Sequence, residues 1–71
     1  MTPQEINQLQ NYMRSTFSGS NITLKPRKVE DSAEVIMNDE FIGVVYKDED
    51  EGETSYTFTM SILDIDLQDA A

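Results

Sequence analysis

Two alternating segments, residues 40–48 and 54–62, constrain the fold most, because only five residues, nearly all acidic, separate them. Alternation of apolar and polar residues is typical of half-buried strands, and strands joined so closely pair as an antiparallel hairpin. Aligning their apolar positions sets Val44 opposite Phe58, whereas a shift by one residue would bring threonines into the core. We therefore predict a hairpin that is closed by a five-residue loop over 49–53, or by a loop two residues shorter, which would slide the pairs and keep the faces.

The first eighteen residues predict one amphipathic helix over 3–18. Thr2 suits the N-cap, Pro3 the first helical position, and Glu5 completes a capping box. Gly19 is suited to end the helix in the left-handed conformation. Apolar residues recur at helical spacing and form a stripe that would pack on a sheet. The stripe consists of Ile6, Leu9, Met13 and Phe17.

Two further strands are predicted between this helix and the hairpin. Residues 21–28 alternate weakly and contain Pro26, which lacks an N–H and therefore indicates an edge strand or an extended arm. Residues 32–37 form the next strand, and Asn38 with Asp39 suits a two-residue type I′ turn into the hairpin. Together these pairings predict one core face, made of Ala33, Val35, Met37, Ile42, Val44, Tyr46, Tyr56, Phe58, Met60 and Ile62.

The opposite face of this predicted sheet is too apolar for a surface that meets only water. A C-terminal tail over 62–67 or a second subunit would cover it. Aspartates alternate with apolar residues in that tail, which predicts an extended strand reached through a β-bulge, with a short helix capped at Ser61 as the alternative. The second face is predicted to carry Glu34, Ile36, Phe41, Gly43, Val45, Lys47, Ser55, Thr57, Thr59 and Ser61.

A chain of 71 residues forms at most one small domain, which buries only about 60% of the surface its unfolded form exposes. It has no Cys and no His, which excludes disulfides, thiolate metal sites and the usual zinc sites. Oligomerisation is the remaining common route to extra stability. We predict a single α+β domain over 1–71: one N-terminal amphipathic helix packed on a four-stranded antiparallel meander sheet, with a strand-like C-terminal tail.

The formal net charge of −9 repels nucleic acid and anionic membranes at long range. No apolar run approaches the length of a membrane span, and the first residues lack the basic and apolar regions of a signal peptide. We therefore predict a cytoplasmic protein that binds no membrane, and we do not expect nucleic acid as its main partner.

Five stretches carry a resemblance to a known family: TPQEI at 2–6, DSAEV at 31–35, DEFIGVVY at 39–46, SYTFTM at 55–60 and ILDIDL at 62–67. The chain resembles a family of short alphaproteobacterial proteins that is catalogued only as a domain of unknown function. The resemblance covers nearly the whole chain, and FIGV and ILDIDL are its most specific parts. It implies a bacterial, cytoplasmic, stand-alone domain and supplies no activity, ligand or catalytic residue.

The acidic loop between the paired segments offers a metal-binding hypothesis. Alternate carboxylates around a glycine are typical oxygen ligands for Ca²⁺ or Mg²⁺, and Asp48, Asp50 and Glu53 are the candidates. The EF-hand pattern is not met, because Gly52 falls one position early. A solvated loop whose charges block edge pairing explains the same residues. Metal binding is therefore the alternative hypothesis.

A basic segment offers a third hypothesis. Lys25, Arg27 and Lys28 are three of the five basic residues. A patch of this kind beside an exposed aromatic such as Phe41 is suited to RNA, because it contacts phosphates while the ring stacks on a base. An edge strand protected by charge and proline explains the same residues, so we rank RNA binding third.

We predict neither enzymatic activity nor a cofactor, because no histidine is present to activate a hydroxyl group and glycine is too scarce for a phosphate-binding loop. The main hypothesis is a non-catalytic protein-interaction module, with a second copy or an unknown protein as partner. It would act by homodimerisation, through its second face or by strand addition. The predicted contact residues are Ile36, Phe41, Val45, Thr57, Thr59, Leu63, Ile65 and Leu67.

Overall fold

The computed structural model of the chain describes residues 1–18, 21–29 and 31–69. The elements are helix α1 (Pro3–Thr16), strands β1 (Ile22–Pro26), β2 (Ser32–Met37), β3 (Glu40–Asp50) and β4 (Glu53–Met60), and helix α2 (Asp64–Asp69). The strands form one antiparallel sheet in the order β1-β2-β3-β4. The α+β class, the N-terminal helix and the four-stranded meander are confirmed. The strand-like tail is wrong, because α2 is helical there.

Helix α1 begins as the sequence predicts. The Thr2 hydroxyl accepts the Glu5 N–H at 3.1 Å, and the Glu5 carboxylate accepts the Thr2 N–H at 2.8 Å, which completes the capping box. This pair satisfies two of the backbone donors that a helix start leaves free. The helix ends at Thr16, two residues before the predicted end, and Phe17 is its C-cap. Gly19, the predicted terminator, lies outside the described residues.

A two-residue turn joins β2 to β3, and another joins β3 to β4. Asn38 and Asp39 have φ of 52° and 68°, as the predicted type I′ turn requires. Glu51 and Gly52 have φ of 50° and 82° and form a second tight turn. The predicted five-residue loop over 49–53 is therefore wrong, because β3 and β4 stay paired up to this turn.

A β-bulge in β3 changes the predicted register. Ile36 pairs with Phe41 across the first turn, but Val35 pairs with Gly43, so Ile42 is an extra residue on β3. An extra residue on one strand moves every residue beyond it to the opposite face. The sequence analysis placed a bulge only near the C-terminal tail.

The bulge exchanges the two faces of β3 beyond Ile42. Val45 lies on the core face and is only 2% exposed, so its predicted place on the second face is wrong. Lys47 follows it to the core side. Val44 and Tyr46, predicted in the core, lie instead on the second face.

Strand β4 keeps its predicted faces because its register with β3 also shifts by one residue. Phe58 lies opposite Val45 rather than opposite Val44, and it still packs against the core. Thr57 and Thr59 remain on the second face, as predicted. Between two regular strands, a one-residue shift of the register would bring threonines into the core. Here the bulge has already exchanged the faces of β3, so the shifted register keeps Phe58 on the core side.

The core lies between α1 and one half of the sheet. Helix α1 packs mainly on β1, where the Gln10 side chain accepts the Leu24 N–H at 3.0 Å and Arg14 donates to the Ile22 carbonyl at 2.6 Å. Half-buried side chains from α1, β2, β3 and β4 complete the core. The buried apolar residues are Met13, Ile22, Leu24, Ala33, Val35 and Val45.

Substitution of Gly43 tests the bulge. An added Cβ would collide with the Thr59 carbonyl oxygen and come within 2.8 Å of the Phe58 ring. We expect Gly43→Ala to lower the free energy of unfolding by about 1–3 kcal/mol, because β3 and β4 must separate to relieve this contact. Urea denaturation measures it. The control is Gly52→Asn, at a positive-φ position with no atom near the added Cβ, and equal stability of the two variants would contradict the bulge.

Candidate functional site

A polar cluster fastens the start of α1 to the sheet. The Lys47 ammonium lies 2.6 Å from the Glu5 carboxylate and 3.1 Å from that of Glu49. The Tyr56 hydroxyl donates to the same Glu5 carboxylate at 3.0 Å. The bulge in β3 creates this cluster, because it moves Lys47 to the side of the sheet on which α1 lies.

The groups of this cluster perturb one another strongly. The hydrogen bond from Lys47 is the main reason why the pKa of Glu5 falls to about 2, and the Thr2 N–H and the Tyr56 hydroxyl add to it. The same contact raises the pKa of Lys47. Desolvation, then the hydrogen bond to Glu5, raises the pKa of Tyr56. At neutral pH, Glu5 is therefore ionised, Lys47 is protonated and Tyr56 is neutral, so the contacts that join α1 to the sheet persist.

Exposed apolar side chains meet where the sheet ends and α2 begins. Each member of this C-terminal surface is at least half exposed, and most of them surround an open groove of about 680 Å³ between the sheet and α2. Single exposed apolar residues are common, but a continuous group marks an interaction site. The C-terminal surface consists of Phe41, Met60, Ile62, Leu63, Ile65 and Leu67.

Helix α2 contributes two members of this surface, Ile65 and Leu67. It begins after Leu63, whose N–H is accepted by the Asp66 carboxylate at 3.0 Å, and this local bond favours a helix over a strand. Leu63 and Leu67, one helical turn apart, both line the groove. Helix α2 makes little contact with the rest of the described chain. Its apolar side chains thus remain largely exposed.

A second groove lies on the core side of the sheet, between α1 and β4. We call it the helix groove, and its volume is about 380 Å³. Tyr12, 68% exposed, stands at its α1 side. None of the described residues that line it is acidic. They are Leu9, Tyr12, Met13, Thr16, Phe17, Val45, Tyr56 and Phe58.

The predicted contact residues are only partly brought together. Phe41 is 57% exposed on the second face, whereas Ile36 is half-buried beside it. Thr57 and Thr59 are exposed farther along that face. Val45 is buried in the core, and a surface contact through it is therefore excluded. Leu63, Ile65 and Leu67 lie together on the exposed tail, as predicted, although in a helix.

Sequence reasoning missed the exposure of Met60 and Ile62 and missed the helix groove altogether. Both residues were assigned to the core because they continue the alternation of β4. The structure leaves Met60 half exposed, since α1 packs mainly on β1. A sign of this was present in the sequence: one helix is narrower than a sheet of four strands.

The acidic residues proposed as metal ligands lie beside the turn between β3 and β4. Asp50 and Glu53 lie opposite each other beside the turn, and Asp48 lies opposite Ser55. Within residues 1–18, 21–29 and 31–69, no group of three or more His, Cys, Asp or Glu side chains is placed to hold a metal ion. The structure therefore gives the metal hypothesis no support.

The basic residues lie at the opposite edge of the sheet. Lys25, on β1, is exposed opposite Glu34, whose carboxylate offsets its charge. The Arg27 N–H donates to the Ser32 carbonyl, and Lys28 is exposed in the connection that follows. RNA binding by this segment stays a prediction. Among the described helices, none is long and apolar enough to cross a membrane.

The charge of the chain is divided unevenly. Eight acidic residues and no basic residue follow Lys47, so the last 24 residues hold nearly all of the net charge of −9. The C-terminal surface is therefore apolar in its centre and bordered by carboxylates, among them Asp64 and Asp66.

The fold and its surfaces define a small α+β meander domain with an exposed apolar end. Residues 5–66 match the model of a family described as "Protein of unknown function (DUF3126)", and the chain belongs to that family. This confirms the resemblance to a domain-of-unknown-function family. No curated protein and no solved structure matches the chain.

The polar cluster makes stability depend on pH. The folded pKa of Glu5, about 2, lies below its ordinary value of 4.5. Its contribution to stability is therefore complete above pH 4.5 and is lost as the pH falls toward 2. We expect Glu5→Gln, which preserves the capping box, to lower the melting temperature at pH 7 and to match the wild type near pH 2. A difference in melting temperature that stays constant with pH would contradict the ion pair.

Proposed function

We propose that this protein is a non-catalytic, cytoplasmic protein-interaction module that contacts its partner through the C-terminal surface. The observation that carries the proposal is the exposure of six large apolar side chains at one end of a 71-residue domain. Apolar groups exposed together gain free energy when a partner removes them from water, at about 25 cal/mol for each Å².

The shape of the molecule supports this proposal. Its Cα radius of gyration is 13.2 Å, whereas a compact chain of this length has about 11 Å. The longest dimension, 43 Å, is about twice the other two. Helix α2 makes little contact with the other described elements, and its apolar side chains are exposed, so a partner can reach them.

The polar chemistry of the chain supports a role without catalysis. The strongly shifted groups of the described residues, Glu5, Lys47 and Tyr56, bind one another and join α1 to the sheet. A catalytic acid or base has a pKa near the working pH, but the pKa of Glu5 is about 2 and that of Lys47 is raised. We therefore assign this cluster a structural function.

Site-specific photo-crosslinking in the cells that make the protein tests the proposal. A benzophenone amino acid at Leu67, 61% exposed, is compared with the same group at Val29, 53% exposed. Val29 precedes β2 at the other end of the sheet and is the matched control. We expect a defined protein adduct from position 67 and none from position 29. No adduct at position 67, or equal adducts at both, would overturn the proposal.

A further inference from the structure

We infer that the partner of the C-terminal surface is a second copy of this chain, and that α2 of each copy lies in the helix groove of the other. This inference rests on the proposed function, because it names the occupant of the same surface. The structure shows both halves of such a contact on one chain: exposed apolar side chains on the α2 segment, which makes little contact with the other described elements, and an apolar groove beside α1.

The dimensions of the fold explain why the groove exists. Four strands with a spacing of about 4.8 Å place the outer strands roughly 14 Å apart, before their side chains are counted. One helix with its side chains is about 10 Å across. Because α1 packs mainly on β1, the core side of β4 is only partly covered, and Tyr56 and Met60 are partly exposed there. The part of the sheet that α1 leaves uncovered forms the floor of the helix groove.

Helix α2 has the chemistry that this groove requires. Leu63 and Leu67, one helical turn apart, lie on one side of the α2 segment and match the apolar and aromatic lining of the groove, whereas Ile65 lies on the other side. The carboxylates of Asp64 and Asp66 meet no acidic group among the described lining residues. Beside the groove, the Glu5 carboxylate accepts the Tyr56 hydroxyl, but the Lys47 ammonium 2.6 Å away offsets its repulsion of these aspartates.

The exposed area of the chain agrees with what a stable dimer buries. The accessible surface is 5421 Å², whereas a compact monomer of 8.1 kDa exposes roughly 4,500 Å². The excess of roughly 900 Å² is close to the 800 Å² or so that each partner loses in an interface of standard size. A reciprocal exchange of α2 covers the tail and the groove at once, and it closes with two-fold symmetry.

The net charge of the chain predicts how the stability of the proposed dimer depends on salt. Each copy carries −9, so two copies repel each other at long range. Salt screens this repulsion and strengthens the apolar contact, so the dimer tightens as the salt concentration rises. A basic partner on the same surface would show the opposite response.

Sedimentation equilibrium of the full chain, at low and high salt, is the first test. We expect a dimer that tightens with salt. Two variants test the two sides of the contact: the tail variant carries Leu63→Ser and Leu67→Ser, and the groove variant carries Tyr12→Glu. Each should raise the dimer dissociation constant about tenfold or more. Val29→Ser, which changes an equally exposed residue elsewhere, should leave it unchanged. Circular dichroism checks that each variant is folded. We expect each to fold, because the altered side chains are exposed in the wild type.

Mixing the two variants separates the proposed exchange from other dimers. The tail variant keeps its groove and the groove variant keeps its tail, so a mixed dimer retains one intact contact. We expect association in the mixture that neither variant shows alone. The exchange would be overturned if the mixture associates no better than the separate variants. It would also be overturned if either variant leaves the dimer dissociation constant unchanged, or if the wild-type dimer weakens as the salt concentration rises.

The crosslinking experiment shows whether a negative result rules out only the second copy as partner or the interaction module as a whole. A monomeric wild-type chain overturns the second copy as the partner. If position 67 then crosslinks to a different protein, the interaction module stands and only the identity of its partner changes. An adduct of twice the mass of the chain supports the exchange.

Discussion

The extra residue in β3 is the constraint on which the rest of the structure depends. Ile42 has no partner on β2, and every residue after it changes face. This change brings Val45 into the core and Lys47 beneath the start of α1, where Lys47 meets Glu5. Without the bulge, α1 would lose both an apolar contact and its ion pair with the sheet. A local backbone irregularity thus decides how the helix and the sheet are joined.

The parts of the fold that depend on local chemistry could be predicted from the sequence. The capping box at Thr2, the turn at Asn38 and the order of the strands follow from short-range preferences, and the structure confirms them. The bulge could not be placed by counting apolar residues, because Val44 and Val45 fit either face equally well. Gly43 was the available sign, since a glycine within a strand often marks a bulge or a close approach of two backbones.

The candidate site was predictable in composition but not in shape. Leu63, Ile65 and Leu67 were assigned to a contact surface from their alternation with aspartates, and the structure exposes all three. Their helical conformation depends on one carboxylate, Asp66, which accepts the Leu63 N–H, and strand propensity outweighed this single bond in the sequence analysis. The helix groove depends on where α1 lies across the sheet. That position is a tertiary property that no local pattern encodes.

The acidic end of the hairpin favours one mode of self-association over another. Strand β4 is an edge strand, and an edge invites a second copy to pair through its backbone. The carboxylates over 48–53 lie at one end of that edge, and charged side chains beside an edge strand discourage pairing with another chain. The helix groove lies on the face of the sheet, and none of its described lining residues is acidic. The same charges that discourage strand addition therefore leave contact through α2 open, which is why we place the partner on the apolar face and not along the edge.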